Sequence, residues 1–294
     1  MKNKSSQRRW TIRQTANNIF VVDIEAQENA KFNFVSIDLA DVHHDSLKSD
    51  HARLGDYCEL AASSGGMINC WGDLLDCMGS KYDPRSSKSE LRSNLIRDTY
   101  TDDVVNFCAD WFIKNKFHKY IGVLGEGNHE AEFRKRFETD LVQRVIAILN
   151  SKGATAKFGA YSGAVKYRFK LDRKKSGNCL IQGYHHGSGY SSRTKLIEFA
   201  MQHPDCNFFS MGHHHNFTVA YEAIKRFTEG GFYHDRIFFL ANPSLKNDHG
   251  IKGDGSTGWS VHKGIRAKPL GCWKLNFYYC RRDNRFKVKP EPMD

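Results

Sequence analysis

The sequence predicts an α/β fold arranged as a sandwich of two packed sheets. Short apolar runs of strand type alternate with helix-period segments in the first half of the chain, and strand-type runs dominate the second half. Size agrees: 294 residues, 40% hydrophobic and 13% aromatic, hold enough apolar surface for one sizeable core. One domain is expected over 32–294, preceded by a basic, weakly patterned extension over 1–31 with the capacity to add a strand or helix to its outside.

The elements follow in order. Phe32, Phe34, Val35, Ile37 and Leu39 form an apolar run of the kind expected for a strand covered on both faces. A helix-period stretch spans Ala52 to Ala62, and a second strand run spans Met67 to Trp71. From Ser89 to Phe117 the apolar residues Leu91, Leu95, Ile96, Val104, Val105, Phe107, Cys108 and Phe112 recur at helical spacing. Tyr120 to Leu124 reads as a third strand and Ala131 to Leu149 as one helix. Further strands are expected at Val165 to Leu171, Cys179 to Tyr184, Asn207 to Met211, Phe217 to Ile224, Arg236 to Leu240 and Cys272 to Cys280, with a helix at Arg193 to Gln202. Lys246 to Pro269, rich in Gly, Lys and His, reads as a long loop, and a loop of that length is more often functional or mobile than idle.

Composition narrows the function classes. No run approaches the roughly 20 apolar residues that a membrane span needs, and Met1 to Arg13 is not followed by the apolar core of a signal peptide. A cytoplasmic protein without membrane contact is expected. The eight cysteines are scattered, with no Cys-x-x-Cys pair, which points to buried thiols and away from a disulfide framework or a thiolate zinc site. The formal net charge of +11 favours strongly anionic partners, nucleic acid first among them.

Five short polar clusters each follow a strand run: Asp41-Val42-His43, Gly72-Asp73-Leu74-Leu75-Asp76, Gly127-Asn128-His129-Glu130, His186-Gly187, and Gly212-His213-His214-His215. Ligand sites of α/β sheets gather beyond the carboxyl ends of strands, so clusters spread over most of the chain can meet in space. Imidazole nitrogen with carboxylate and amide oxygen suits manganese, iron, zinc or nickel. A shared carboxylate can hold two ions about 3.5 to 4 Å apart, close enough to share one hydroxide for in-line attack on a phosphorus centre.

The order Asp-x-His, Gly-Asp-x-x-Asp, Gly-Asn-His-Glu, His-Gly, Gly-His-x-His resembles the signature of the calcineurin-like metallophosphoesterases, a superfamily of phosphatases, phosphodiesterases and nucleases. The likeness runs from about Phe32 to His215, with all five blocks in family order. It implies a four-layer α-β-β-α sandwich, two mixed sheets flanked by helices, and a cofactor of two divalent metal ions, manganese foremost with iron, zinc or nickel as alternatives. Asp41, His43, Asp73 and His215 would hold the first ion, with Asp73 bridging. Asn128, His186 and His213 would complete the second. The resemblance makes His129 the general acid and Asp76 the carboxylate that orients it. Glu130 belongs to the motif without an assigned chemical role.

Neighbouring residues compete for these places. Asp38 lies one short register error from Asp41, but only Asp41 precedes a histidine by two. His44 and His185 adjoin proposed ligands as outer groups, substrate contacts or plain surface residues, and His214, by alternation, should point away from the metals. His51, His118, His203, His234, His249 and His262 read as surface or core groups.

Basic clusters at Arg134-Lys135-Arg136, at Lys166, Arg168, Lys170, Arg173, Lys174 and Lys175, and at Arg281, Arg282, Arg285, Lys287 and Lys289 are each explained equally well as solvated faces. Together with Lys246, Lys252, Lys263, Arg266 and Lys268 they suggest a phosphate-backbone track, with Trp259 as a stacking or core residue. The expected activity is phosphodiester hydrolysis, with DNA as the favoured substrate, by likeness to the phage and bacterial DNA-repair exonuclease branch. A small-molecule phosphatase or cyclic-nucleotide phosphodiesterase is the alternative enzyme, and a non-catalytic nucleic-acid-binding scaffold the alternative of another class. Many members of the superfamily dimerise, but no stripe in this sequence demands it.

Overall fold

The computed structural model describes residues 7–79, 90–171, 176–189, 193–228, 231–249, 259–264 and 266–294. Two mixed sheets face each other. One contains β1 (Trp10–Ala16), β2 (Ile19–Glu25), β7 (Ser162–Lys170), β8 (Ser176–His185), β9 (Phe208–Met211), β10 (Thr218–Thr228) and β11 (Gly231–Ala241), in the order β1-β2-β7-β8-β9-β11-β10. The other contains β3 (Asn33–Leu39), β4 (Met67–Cys70), β5 (Ile121–Leu124), β6 (Lys157–Phe158), β12 (Cys272–Cys280) and β13 (Arg285–Met293), in the order β13-β12-β3-β4-β5-β6. Three apolar clusters separate the layers. The first joins the six-stranded sheet to α1 (His51–Ser64), α2 (Tyr100–Lys114) and α4 (Leu141–Ser151). The second, with Phe34, Trp71, Tyr167, Phe169 and Phe277, fills the space between the sheets, and the third packs α5 (Arg193–Met201) on the seven-stranded sheet. The result is the expected α-β-β-α sandwich. Among the described residues no helix is long and apolar enough to cross a membrane.

Local chemistry explains where elements begin and end, and where the sequence misleads. The Asp50 side chain accepts the Arg53 amide to open α1, which closes on Gly65 in the left-handed region. The single helix expected over Ala131 to Leu149 is two, α3 (Asn128–Phe137) and α4. Glu138 turns left-handed at φ 52°, and Asp140 then caps α4 by accepting the Gln143 amide. In the helical stretch expected from Ser89, α2 starts only at Tyr100, after a short 3₁₀ turn at Ser93–Leu95. The residues read as an outer extension supply β1 and β2, with β2 running parallel to β7. Strand β13 is hidden in the sequence among basic residues, yet Phe286 is buried on its inner side. Within the expected loop 246–269, Trp259–His262 forms the short helix α6. Residues 250–258 and 265 of that stretch lie outside the described residues, as do Met1 to Ser6, Arg173, Lys174, Lys175, Lys252 and the side chain of Trp259.

A polar node holds the two sheets in register. Asp38 of β3 is fully buried and accepts bonds from Trp71 Nε1 (3.0 Å), Ser210 Oγ (3.1 Å), Ser36 Oγ (3.3 Å) and Gln182 Nε2. Gln182 and Ser210 come from β8 and β9, so the bonds cross the sandwich. Burial pushes the Asp38 carboxyl up to about 6, against the pull of its four donors. The folded state therefore keeps a proton that the unfolded chain releases near pH 4, and stability falls as pH rises from about 4 through 6. Asp38→Asn should gain on the wild type by about 2 kcal/mol between pH ~4.5 and pH ~7, read from paired urea melts. A pH-independent difference between the two proteins would show the node ionised throughout.

Candidate metal centre

The chain meets itself at the carboxyl ends of β3, β4, β5, β8 and β9. Beyond β3 and β4 the two loops run on together: Asp41 N donates to Gly72 O (3.0 Å), His43 N to Asp73 O (3.0 Å) and His44 N to Leu74 O (2.8 Å). This pairing brings the Asp-x-His block beside the Gly-Asp-x-x-Asp block. Asp41, His43, Asp73, His213 and His215 all sit at positive φ, between 48° and 71°. That region is costly for residues with a side chain and gathers at functional sites. At Gly72, with φ 99°, an added Cβ would strike His186 Nδ1, so the loop closes on the imidazole only because that position is bare.

Glu130, which the sequence left without a role, clamps this end of the fold. Its Oε2 accepts Gly127 N (2.9 Å) and Asp73 N (3.2 Å), and its Oε1 accepts Leu75 N (2.8 Å). One buried carboxylate thus ties the start of α3 to the loop after β4. Burial and the adjacent Asp73 raise its carboxyl to about 8. Asp45, two residues beyond His43, performs a similar task, its carboxylate accepting Asp76 N, Cys77 N (3.2 Å) and the Tyr100 hydroxyl (2.7 Å). The spacing of Gly127 and Glu130, a helix start followed by an acid three residues on, was the signal available for Glu130.

Three groups of donors result. Asp41, His43 and His215 form one, Asp73, His186 and His213 a second, and His43, Asp76 and His129 a third that shares His43 with the first, each with its donor atoms within 4.8 Å of one another. Asn128 joins the second group, because its Oδ1 lies 2.8 Å from His213 Nδ1 and 3.1 Å from His186 Nε2. His186 Nδ1 sits 2.9 Å from the Trp71 carbonyl, which can only accept. That contact fixes the proton on Nδ1 and leaves Nε2 to face Asp73 Oδ2 at 3.3 Å. His215 Nε2 approaches Asp41 Oδ1 at 3.2 Å, and the other Asp41 oxygen accepts His213 N at 2.8 Å.

The electrostatics are those of a site built to gather positive charge. Burial alone would raise the Asp73 carboxyl, yet His186 and His129 outweigh it and hold it well below the usual carboxylate range. Burial would likewise depress His186, but Asp73 lifts it to about 10. Asp76 lifts His43 to about 9 in the same way. His43 Nε2 is buried with no hydrogen-bond partner. An orphaned imidazole nitrogen beside two carboxylates, with amide oxygen completing the set, is the donor chemistry of a divalent metal site, and the residues present fit such ions.

The residues expected from sequence to serve the reaction lie close by, with different partners. His129 Nδ1 meets the Asp76 backbone carbonyl at 2.6 Å and the Asp76 carboxylate at 3.5 Å. The carboxylate itself approaches His43 Nδ1 at 2.9 Å and takes both oxygens to Lys246 Nζ, at 2.9 and 3.0 Å. Lys246, read from sequence as part of a phosphate track, is therefore a buried counter-ion, 8% exposed. Nothing local in the sequence marked it, since its partner is 170 positions away.

The other competitors are also placed. Asp38 is in the node between the sheets and absent from all three donor groups. His44 is buried in an aromatic cluster, stacked on His51 with centroids 4.2 Å apart. His185 Nδ1 accepts Gly187 N at 2.7 Å. His214 belongs to none of the three donor groups, and its carbonyl accepts Lys268 Nζ at 3.0 Å. Of the basic residues, Arg134 is paired in two bonds with Glu126 and Arg168 with Asp23.

No family model matches the chain, and no curated protein matches it. Solved structures similar to it include vacuolar protein sorting 29 from Cryptosporidium parvum, 11% identical with a TM-score of 0.37, covering 90% of this chain and 100% of that one. Vps29 complexed with zinc from Entamoeba histolytica is similar at 11% identity and a TM-score of 0.37, covering 89% and 100%. GAP50, the anchor in the inner membrane complex of Plasmodium, is similar at 10% identity and a TM-score of 0.41, covering 89% and 85%.

Proposed function

We propose that the chain is a dinuclear metal-dependent phosphoesterase that hydrolyses phosphodiester bonds, with DNA as its favoured substrate. The observation that carries this reading is the meeting of Asp41, His43 and His215 with Asp73, Asn128, His186 and His213 at one end of the sandwich. Asp41, His43, His215 and Asp73 would hold one ion; Asp73, Asn128, His186 and His213 would hold the other. Such ions supply Lewis acidity toward phosphoryl oxygens and a water acidic enough to attack at neutral pH. Manganese is the ion we favour, with iron, zinc and nickel compatible with the same donors.

The chain's own groups would then do the following. The Asp76 carbonyl occupies His129 Nδ1, so the transferable proton of a protonated His129 is the one on Nε2, which lies 3.9 Å from Asp73 Oδ2. That proton would pass to the leaving oxygen. The Asp76 carboxylate and the Trp71 carbonyl engage Nδ1 of His43 and of His186 and so leave Nε2 of each as the nitrogen that an ion would take in place of a proton. The net charge of +11 draws a polyanion toward the site.

The experiment is an activity series with manganese on a chromogenic phosphodiester, a phosphomonoester, and single- and double-stranded DNA, at rising salt. DNA hydrolysis should fall by about tenfold or more between low and moderate ionic strength as counterion release weakens binding, while the small esters change little. Equal salt sensitivity would remove DNA in favour of a small-molecule phosphatase or cyclic-nucleotide phosphodiesterase. No turnover on any of the four, with manganese bound in stoichiometric amount, would leave a non-catalytic scaffold.

A further inference from the structure

A cavity of about 840 Å³ lies at the opposite end of the sandwich from the metal centre. It opens where β13 meets the first halves of β8 and β11. Cys179 lines it and His186 belongs to the metal centre, so the two sites are separated by most of β8, on the order of 20 Å at the rise of a strand. Tyr278 lines it as well and pairs with Asn33 at the start of β3, whereas Asp41 follows that strand's end.

The lining combines three chemistries. Leu180, Phe238 and Val288 give an apolar floor. Tyr221 and Tyr278, 46% and 36% exposed, line it as well and bring two aromatic rings to the cleft. Arg236, Arg285, Lys287 and Lys289 supply positive charge against one lining carboxylate, Asp235. Asp235 is engaged by Arg226 Nε at 2.9 Å and by Arg285 at 3.5 Å. Arg285, Lys287 and Lys289 alternate along β13 and so share one face at intervals of about 7 Å, close to the interval between phosphates of an extended single strand. Lys287 and Lys289 are paired at the surface with Asp283 and Glu291. Exposed pairs of this kind are worth little, and a phosphate can take their place. The Arg236 guanidinium lies 5.5 Å from the Tyr221 ring centre, a cation beside a stacking platform.

We infer that this cleft is a second binding site, taking a segment of single-stranded nucleic acid with bases on Tyr221 and Tyr278 and phosphates along Arg236 and the β13 cations. A strand held there is too far from the metal centre to react, so the cleft would retain the polymer between or beside cleavage events. The inference goes beyond the proposed hydrolysis and holds or fails without it.

The test is fluorescence anisotropy of a short labelled oligothymidylate in the presence of chelator, which silences the metal centre. Arg236→Ala/Lys289→Ala should weaken binding and lower the slope of log affinity against log salt by roughly 0.7 per cation removed. Tyr221→Ala should weaken it by about tenfold. Lys135→Ala/Arg136→Ala on α3 is the control and should bind as the wild type does, with far-ultraviolet dichroism reporting the fold of each variant. Wild-type affinity in the cleft variants, or an equal loss in the control, would overturn the site. Loss in Arg236→Ala/Lys289→Ala with Tyr221→Ala unaffected would leave a plain anion site and overturn the nucleic-acid assignment.

Discussion

Asp73→Ala should lower the proposed phosphodiester turnover by at least about a thousandfold and abolish the stabilisation expected of the wild type on adding manganese. Asp73 Oδ2 lies 3.3 Å from His186 Nε2 and 3.9 Å from His129 Nε2, and its other oxygen accepts His129 N at 2.9 Å. The side chain thus adjoins one donor group through His186 and, through His129, the residue proposed to pass a proton to the leaving oxygen. Alanine also removes the anchor of the first turn of α3, so Asp73→Asn is the companion variant: it keeps an oxygen for that amide and lowers the charge. With ligand at about a hundred times its dissociation constant, the wild type should gain about 3 kcal/mol, seen as a rise in melting temperature, and both variants should show little or none. A wild-type rise in either, together with wild-type turnover, would mean that the ions sit elsewhere or that Asp73 does not share them.

Lys246→Met should destabilise the metal-free protein by about 3–5 kcal/mol, because it strands the Asp76 carboxylate in the interior. Lys246 and Asp76 are 8% and 1% exposed in side chain, and the ammonium bonds to both carboxylate oxygens. What remains to Asp76 is His43 Nδ1 at 2.9 Å and, farther off, His129 Nδ1 at 3.5 Å, so a weakened grip on the His43 ring should accompany the loss and appear as weaker manganese binding. The double variant Lys246→Met/Asp76→Asn removes both charges and should recover most of the stability in urea melts while leaving metal binding impaired. If the single variant melts like the wild type, Asp76 is neutralised by other means and Lys246 does not act as its counter-ion.

The sequence and the structure divide at an intelligible place. The strands around the site were legible because each is a short apolar run with a polar cluster immediately after it, and this pattern survives whatever packs against it. Asp41, His43, Asp73, Asn128, His186, His213 and His215 could be listed from motif order, and the fold does bring them to one end. Helix boundaries were less legible. The break at Glu138 depends on one left-handed residue and the Asp140 cap, neither of which disturbs the apolar periodicity from Ala131 to Leu149. β13 was missed because Arg285, Lys287 and Lys289 alternate with its one buried residue, Phe286, and with the half-buried Val288, and the charges mask the alternation.

Sequence by itself determined the class of fold and the residue types that gather at the strand ends, because spacing along a strand or across a turn is a local property of the chain. Tertiary structure alone decided which atom meets which. It put Asp38 into the node between the sheets, turned the Asp76 carboxylate toward His43 and Lys246, made Glu130 a clamp, and opened the basic cleft beside β13. The physical reason is distance along the chain: partners such as Asp76 and Lys246 leave no mark in each other's neighbourhood, and only packing of the complete sandwich settles which buried charge each will find.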